Sequence, residues 1–241
     1  MRWALVRCGV WTVLLVGLVV GLPYSEKIFA AWFPEVHTPL YTRQSFAGLL
    51  WAHLSLVGLS SLITVGVGVG ACIAVTRGWG RAFAPLLSSL VSLGQSIPPA
   101  VVLALSVPMV GFGFMPALLA LVLYGLLPIV ENALKAFAQL PRDVLLAARG
   151  LGFSAWQRLL EVELPLAFPL ILAGVRTSVM INVATATIAS TVGTQSLGSP
   201  IIAGLTNYNL PFVLQGVALV VVLALWLDAL FEVVLAWSAR R

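Results

Sequence analysis

The chain has 241 residues, 61% of them hydrophobic and only 9% charged, with a mean hydropathy of +1.07, whereas an average soluble domain is roughly 25% charged. That composition excludes a soluble globular protein, and the length allows about six spans of ~20 residues with no separate soluble domain. The formal charge of +5 does not indicate nucleic acid, because the basic residues stand singly between apolar runs instead of clustering on a soluble face.

The first apolar run, 8–22, follows Arg2 and Arg7 and has the length of a signal-peptide core, but no A-x-A pattern closes it; we read it as an uncleaved first span. A loop over 23–44 carries Glu26, Lys27, Glu35, His37, Arg43 and prolines 23, 34 and 39. The second span is expected over 53–75. Its Gly66 and Gly70, like Gly17 and Gly21 in the first span, form G-x-x-x-G pairs suited to close helix packing. Arg77 and Arg81 mark a short connection. The third span, 84–107, contains Gln95-Ser96-Ile97-Pro98-Pro99, where two prolines remove two amide donors and clash one turn back, so the helix breaks in mid-membrane. Irregular backbone at that depth is tolerated only where protein or a water-filled cavity satisfies the freed carbonyls. Gln95 and Ser96 therefore either help line a substrate path or sit at a packing kink. Gly111-Phe112-Gly113 turns the chain into a fourth span over 115–130. Beyond a charged segment at 131–163, the fifth span covers 165–190, a polar uncharged connection 191–211, and the sixth span 212–237, ending at Arg240 and Arg241.

The segment LAARGLGFSAWQRLLEVELP, 146–165, is a charged island between apolar regions, and its Arg149, Arg158, Glu161 and Glu163 belong outside the hydrocarbon, where water reaches them. Pro141 suits a first helical position, and Gly150 and Gly152 can supply a left-handed exit, which predicts a helix over 141–149. Ser154 followed three residues later by Gln157 is a capping-box pattern that starts a second short helix. With the N-terminus inside, inner segments hold ten basic residues and outer loops only Lys27 and Arg43, which puts both chain ends and the 131–163 segment in the cytoplasm.

Three charges lie within spans. A charge at the centre of a bilayer costs at least about 2.5–3.5 kcal/mol on insertion scales, so each needs a partner or water. Arg176, eleven residues after Pro165, and Asp228, nine before Trp237, lie at matching depths in antiparallel spans, and we expect them to pair. Glu232 lies near the interface, within reach of water. In the outer half of the fifth span, Asn182, Thr185 and Thr187 lead a run of uncharged polar residues that suits either a solute path or interhelical hydrogen bonds.

Ala147, Ala148 and Gly152, then nine residues, then Val162, Glu163, Leu164 and Pro165 reproduce the spacing E-A-A-x3-G-x9-I-x-L-P of the permease subunits of bacterial ABC importers, with Leu146 where the family usually has Glu and Val162 in place of Ile. Gln95-Ser96-Ile97-Pro98, the run 123–129, Ala173-Gly174-Val175-Arg176-Thr177 and Thr185-Ala186-Thr187 further resemble the permeases of glycine betaine/carnitine/choline (osmoprotectant) importers. The resemblance implies an all-α, polytopic, type I (MetI-like) permease of about six transmembrane helices in the bacterial cytoplasmic membrane. It divides the chain into a first span and external loop (1–44), a transport domain (45–237) with the coupling loop 131–164, and a basic tail (238–241). Leu146, Ala147, Ala148, Gly152, Val162, Leu164 and Pro165 would then form the surface that couples to a cytoplasmic ATPase. An extracytoplasmic solute-binding protein and a second permease, identical or homologous, complete the implied partners. Solute moves by alternating access; methionine or another small solute is the alternative cargo.

The residues fit no enzyme as well. There is no G-x-S-x-G and no H-E-x-x-H. Lys27 and Lys135, the only lysines, stand in no Walker A loop, so ATP must bind on another chain. Cys8 and Cys72 sit in apolar runs, and His37 and His53 stand far apart, so neither a metal nor another cofactor is expected.

Overall fold

The computed structural model describes residues 1–78 and 80–238, and among these the fold is all-α. Five helical runs are long and apolar enough to cross a bilayer. They are built on α1 (Arg2–Gly21), α3 (Phe46–Thr76), α6 (Phe114–Ala138), α9 (Leu164–Ile188) and α11 (Leu210–Ser238), while α2 (Glu26–Trp32) is a short helix between the first two. A sixth crossing is a broken pair, α4 (Ala84–Ser96) and α5 (Pro99–Val110), bent by 92°. Arg240 and Arg241, read as the basic end of the chain, lie outside the described residues.

The break is a proline effect. Ile97, extended at φ −85°, ψ 127°, and Pro98, at φ −56°, ψ 140°, leave the helical region together, and the helix restarts at Pro99. A second proline is answered by a side chain. Pro128 lies inside α6 and has no amide for the Tyr124 carbonyl one turn back, and Gln95 Nε2 donates to that oxygen at 2.6 Å. Gln95 thereby replaces a missing backbone donor and ties α4 to α6.

At the centre α3, α6 and α9 pack on one another, with α11 against α9 and α1 against α11. Helix association in lipid depends on close van der Waals contact between small residues. The contact faces fit that need: Ala117, Ala120, Ala133 and Ala136 of α6 and Ala167, Gly174 and Ala186 of α9 are all buried. At Gly174 a Cβ would lie 2.6 Å from the Pro128 carbonyl oxygen and 2.8 Å from Asn132 Cβ, so a side chain there would push α9 off α6.

The sequence reading needs four corrections. The G-x-x-x-G pairs are not the contact points: Gly17, Gly21, Gly66 and Gly70 face open space, and it is Gly68 whose position meets Ile129 Cγ2 at 3.0 Å. Spacing alone does not say which face of a uniformly apolar helix turns inward. The second span starts at Phe46, seven residues early, because Ser45 Oγ accepts from Gly48 N (3.1 Å) and caps the helix there. Pro141 is the cap before α7 (Arg142–Gly150), not its first residue. Finally, the connections 23–44 and 191–211 each contain a helix, α2 in the first and α10 (Gly198–Thr206) in the second. Helices this short are marginal on their own propensity and exist because neighbours hold them; α10 lies along α11.

Candidate functional site

The charged segment folds as two short helices joined by a tight turn. In α7 (Arg142–Gly150), Asp143 occupies the first turn and Arg149 the last, each at the end where the helix dipole favours its sign. The helix closes with a Schellman motif: Gly152 N donates to Arg149 O (3.0 Å) and Phe153 N to Ala148 O (3.1 Å), with Gly152 at φ +82°. Nothing crowds Gly152, so its requirement is conformational and not spatial. The capping box forms in full at the start of α8 (Ala155–Arg158): Gln157 N donates to Ser154 Oγ (3.2 Å) and Ser154 N to Gln157 Oε1 (2.9 Å).

Residues Leu159–Glu163 then form a π-turn before α9 begins. In a regular α-helix residues five apart point about 140° away from each other; the wider π-turn brings Arg158 and Glu163 to one side. Arg158 Nε donates to Glu163 Oε1 (2.9 Å) and Arg77, from the end of α3, to Oε2 (2.7 Å). Glu163 is 6% exposed, which corrects the expectation that water reaches it. The helical run from Ala155 to Val192 is 38 residues, about 57 Å of helix and nearly twice the thickness of the hydrocarbon, so this first part lies outside it. Burial raises the pKa of Glu163, but the hydrogen bonds and charges of Arg77 and Arg158 outweigh it and hold the carboxyl below its ordinary 4.5. Sequence reasoning passed over this anchor. The available signal was a lone Glu among apolar residues at the mouth of a span; Arg77, 86 residues away, gave none.

Of the motif residues, Leu146, Ala147, Gly152 and Pro165 are exposed, Val162 and Leu164 half-buried, and Ala148 buried. Leu146, Leu151 and Trp156 are 62%, 78% and 65% exposed, an apolar surface carried by a rigid loop. Each of the five path candidates makes a hydrogen bond within the bundle. Gln95 serves the Tyr124 carbonyl, and Ser96 bonds back to Ser92 O (3.0 Å). Asn182, fully buried, donates to Ser60 Oγ (3.2 Å) on α3, while Thr185 and Thr187 bond to Ile181 O and Val183 O of their own helix. At the opposite end of the bundle from α7, Arg43, Gln44, Ser190, Thr194 and Gln195 help line a cavity of about 390 Å³.

Arg176 Nε donates to Asp228 Oδ1 (2.8 Å), joining α9 to α11. The pair belongs to a larger cluster: Glu232 stands 4.0 Å from Arg176 and binds Arg7 of α1 at 2.7 Å. Glu232, expected to rely on water, is answered by an arginine from the first helix.

A broken-helix bundle that holds a stiff, apolar-faced loop at one end and a polar cavity at the other has the build of a transporter's membrane subunit. The family model described as the binding-protein-dependent transport system inner membrane component matches residues 66–241, and the chain belongs to that family. It is 38% identical over 189 residues to the osmoprotectant import permease protein OsmY of Salmonella typhimurium, covering 78% of each chain. It is 34% identical to the glycine betaine/carnitine/choline transport system permease protein OpuCB of Bacillus subtilis, over 75% of this chain and 82% of that one. Among solved structures, the methionine ABC transporter MetNI in an inward-facing conformation shares the fold, with a TM-score of 0.69 at 21% identity, covering 82% of this chain and 99% of that one. The chain is thus a multi-pass inner-membrane permease subunit of an ATP-driven importer, not an enzyme, and the ATPase is a partner chain.

Proposed function

We propose that the cargo is an osmoprotectant such as glycine betaine, choline or carnitine. The observation that carries this reading is the 38% identity to an osmoprotectant permease over 78% of both chains. The ATPase docks on the α7–α8 surface through Leu146, Ala147, Ala148, Gly152, Val162, Leu164 and Pro165, within a transport domain spanning 45–237. The positive-inside pattern supports a cytoplasmic position for that loop and for both termini. A second permease, identical or homologous, faces this one across the solute path, and closure of the ATPases moves the loops as rigid levers between outward and inward states. An extracytoplasmic binding protein delivers the solute and sets most of the specificity, since aromatic faces there can hold a quaternary ammonium by cation–π attraction.

The test is uptake of labelled betaine, choline, carnitine and methionine in cells lacking their own carriers, expressing this chain with its native partner chains. Uptake of a quaternary ammonium solute with ATPase co-purification is the expected result; methionine uptake alone would overturn the cargo. Gly152→Val should leave the chain in the membrane and abolish uptake while ATP hydrolysis continues, because a β-branched residue opposes φ +82°. Normal uptake by that variant would remove the loop from the coupling role.

A further inference from the structure

Around Glu163 the chain is more basic than one carboxylate can balance. The ends of α3 and α6 and the facing sides of α7 and α8 enclose a cavity of about 320 Å³, lined in part by Arg77, Arg81, Arg149, Arg158, Phe137 and Glu163. Four guanidinium groups meet one carboxylate there. Glu163 engages Arg77 and Arg158, whereas no ion pair forms at Arg81 or Arg149 among the described residues. Like charges gathered at the mouth of a membrane span repel one another unless an anion joins them.

A second cavity, about 470 Å³, adjoins the first and shares Thr76, Arg81 and Phe137 with it. It runs between α3, α4 and α6 along Val75, Ala84, Pro85, Leu134 and Ala138, and these walls are mostly apolar. The basic chamber lies where α3 and α6 end, and the apolar groove continues from it onto the spans. A free phosphate would fill only the chamber. A phosphate carried on a hydrocarbon chain fits both.

We propose that the paired cavities form a binding site for an anionic phospholipid, with its headgroup phosphate among Arg77, Arg81 and Arg149 and an acyl chain in the groove between α3, α4 and α6. The lipid joins the α3–α4 connection, through Arg77 and Arg81, to the last turn of α7, through Arg149. It thereby holds the loop against the membrane. The site combines the ends of α3 and α6 with Arg149 of α7, so it rests on how the loop sits beside the bundle and not on an ATPase being bound.

The experiment places the full chain, with the partner chains that co-purify, in nanodiscs of mixed phosphatidylglycerol and phosphatidylcholine, then extracts it in mild detergent and counts retained lipid by native mass spectrometry. Phosphatidylglycerol should be retained over phosphatidylcholine. Arg81→Gln and Arg149→Gln should each cut that retention about fivefold, and together on the order of twentyfold, whereas the double change to Lys should keep most of it. Neither residue is ion-paired among the described residues, so no ion pair seen there is lost. Arg43→Gln, at the other end of the bundle, should change nothing; an equal loss there would mean bulk charge attraction and overturn the site. Undiminished retention in the Arg81→Gln, Arg149→Gln double variant would overturn it as well, including the case in which that variant instead loses the ATPase. Displacement of the lipid by millimolar inorganic phosphate would assign the chamber to a soluble anion and overturn the lipid reading.

Discussion

Arg176 and Arg77 both reach a carboxylate from a distant part of the chain, but the clusters around them differ in how their charges balance. Where α1, α9 and α11 meet, Arg7 and Arg176 face Asp228 and Glu232, two against two, with Arg7 at the exposed end of the cluster. At the α7 end, Arg77 and Arg158 share Glu163 while Arg81 and Arg149 add positive charge with no acidic partner among the described residues. The difference follows the surroundings. A charge left over in hydrocarbon costs several kcal/mol, so the inner cluster closes on itself and serves as a joint between helices. At the membrane edge an excess is tolerable, and it is available to something outside the chain.

If that contrast is right, the most damaging change unbalances the inner cluster. Asp228→Asn with Glu232→Gln leaves Arg176 without a carboxylate inside the span and should cost on the order of 3–5 kcal/mol, seen as failure of the chain to accumulate in membranes. Glu163→Gln should cost less, about 1–3 kcal/mol in reversible unfolding in detergent, because the glutamine oxygen can still accept from one of the two arginines at the edge of the membrane. Its pH signature also differs. Glu163 has its carboxyl held below 4.5, so its contribution is complete above 4.5 and disappears as pH falls below 4.5 through the folded value. Wild type should therefore lose stability in that acid range, and the Gln variant should lack this acid limb. Replacing Arg176 by Met together with Asp228 by Leu removes charge in equal amounts and should change stability by less than about 1 kcal/mol, since Glu232 keeps Arg7. A loss as large as that of Asp228→Asn alone would show that the pair does more than join helices. Smallest of all, Lys135→Ala breaks only the exposed bridge to Glu131 (3.4 Å) and should shift stability by about 0.5 kcal/mol or less.

Features that depend on neighbours in sequence could be read directly from it. Ser154 and Gln157, Gly152, and the Pro98-Pro99 break declare themselves within a few residues, because capping, left-handed backbone and missing amides are local chemistry. Arg176 and Asp228 could be matched through depth, since a helix converts residue count into distance. The partners of Glu163 could not: Arg77 comes from another helix end, and a π-turn was needed to bring Arg158 around. Gln95 shows the same limit. In sequence it stands beside the Pro98-Pro99 break, which suits a path or a packing kink, and only the structure shows that it meets the Tyr124 carbonyl left without a donor by Pro128. The helix α10 was missed for a different reason: nine residues with Gly and Ser among them carry too little periodicity to stand out, and contact with α11 determines their form.

The π-turn at Leu159–Glu163 also fixes an angle. One residue in an ordinary helix corresponds to about 100° of rotation, and the π-turn takes up one extra residue without that rotation, so the turn sets the bearing of the whole loop around the axis of α9. Straightening the turn into ordinary helix with every residue retained would swing Leu146 and Trp156 by about a quarter turn, whereas removing one residue along with the π-turn would leave their bearing nearly unchanged. The direction in which this surface faces is therefore encoded in how many residues that turn takes up. A single-residue deletion should be tolerated better between 159 and 163, where it converts π-turn to α-helix, than elsewhere in the helical run from 155 to 192, and substitution of the exposed Leu160 or Glu161 should matter little.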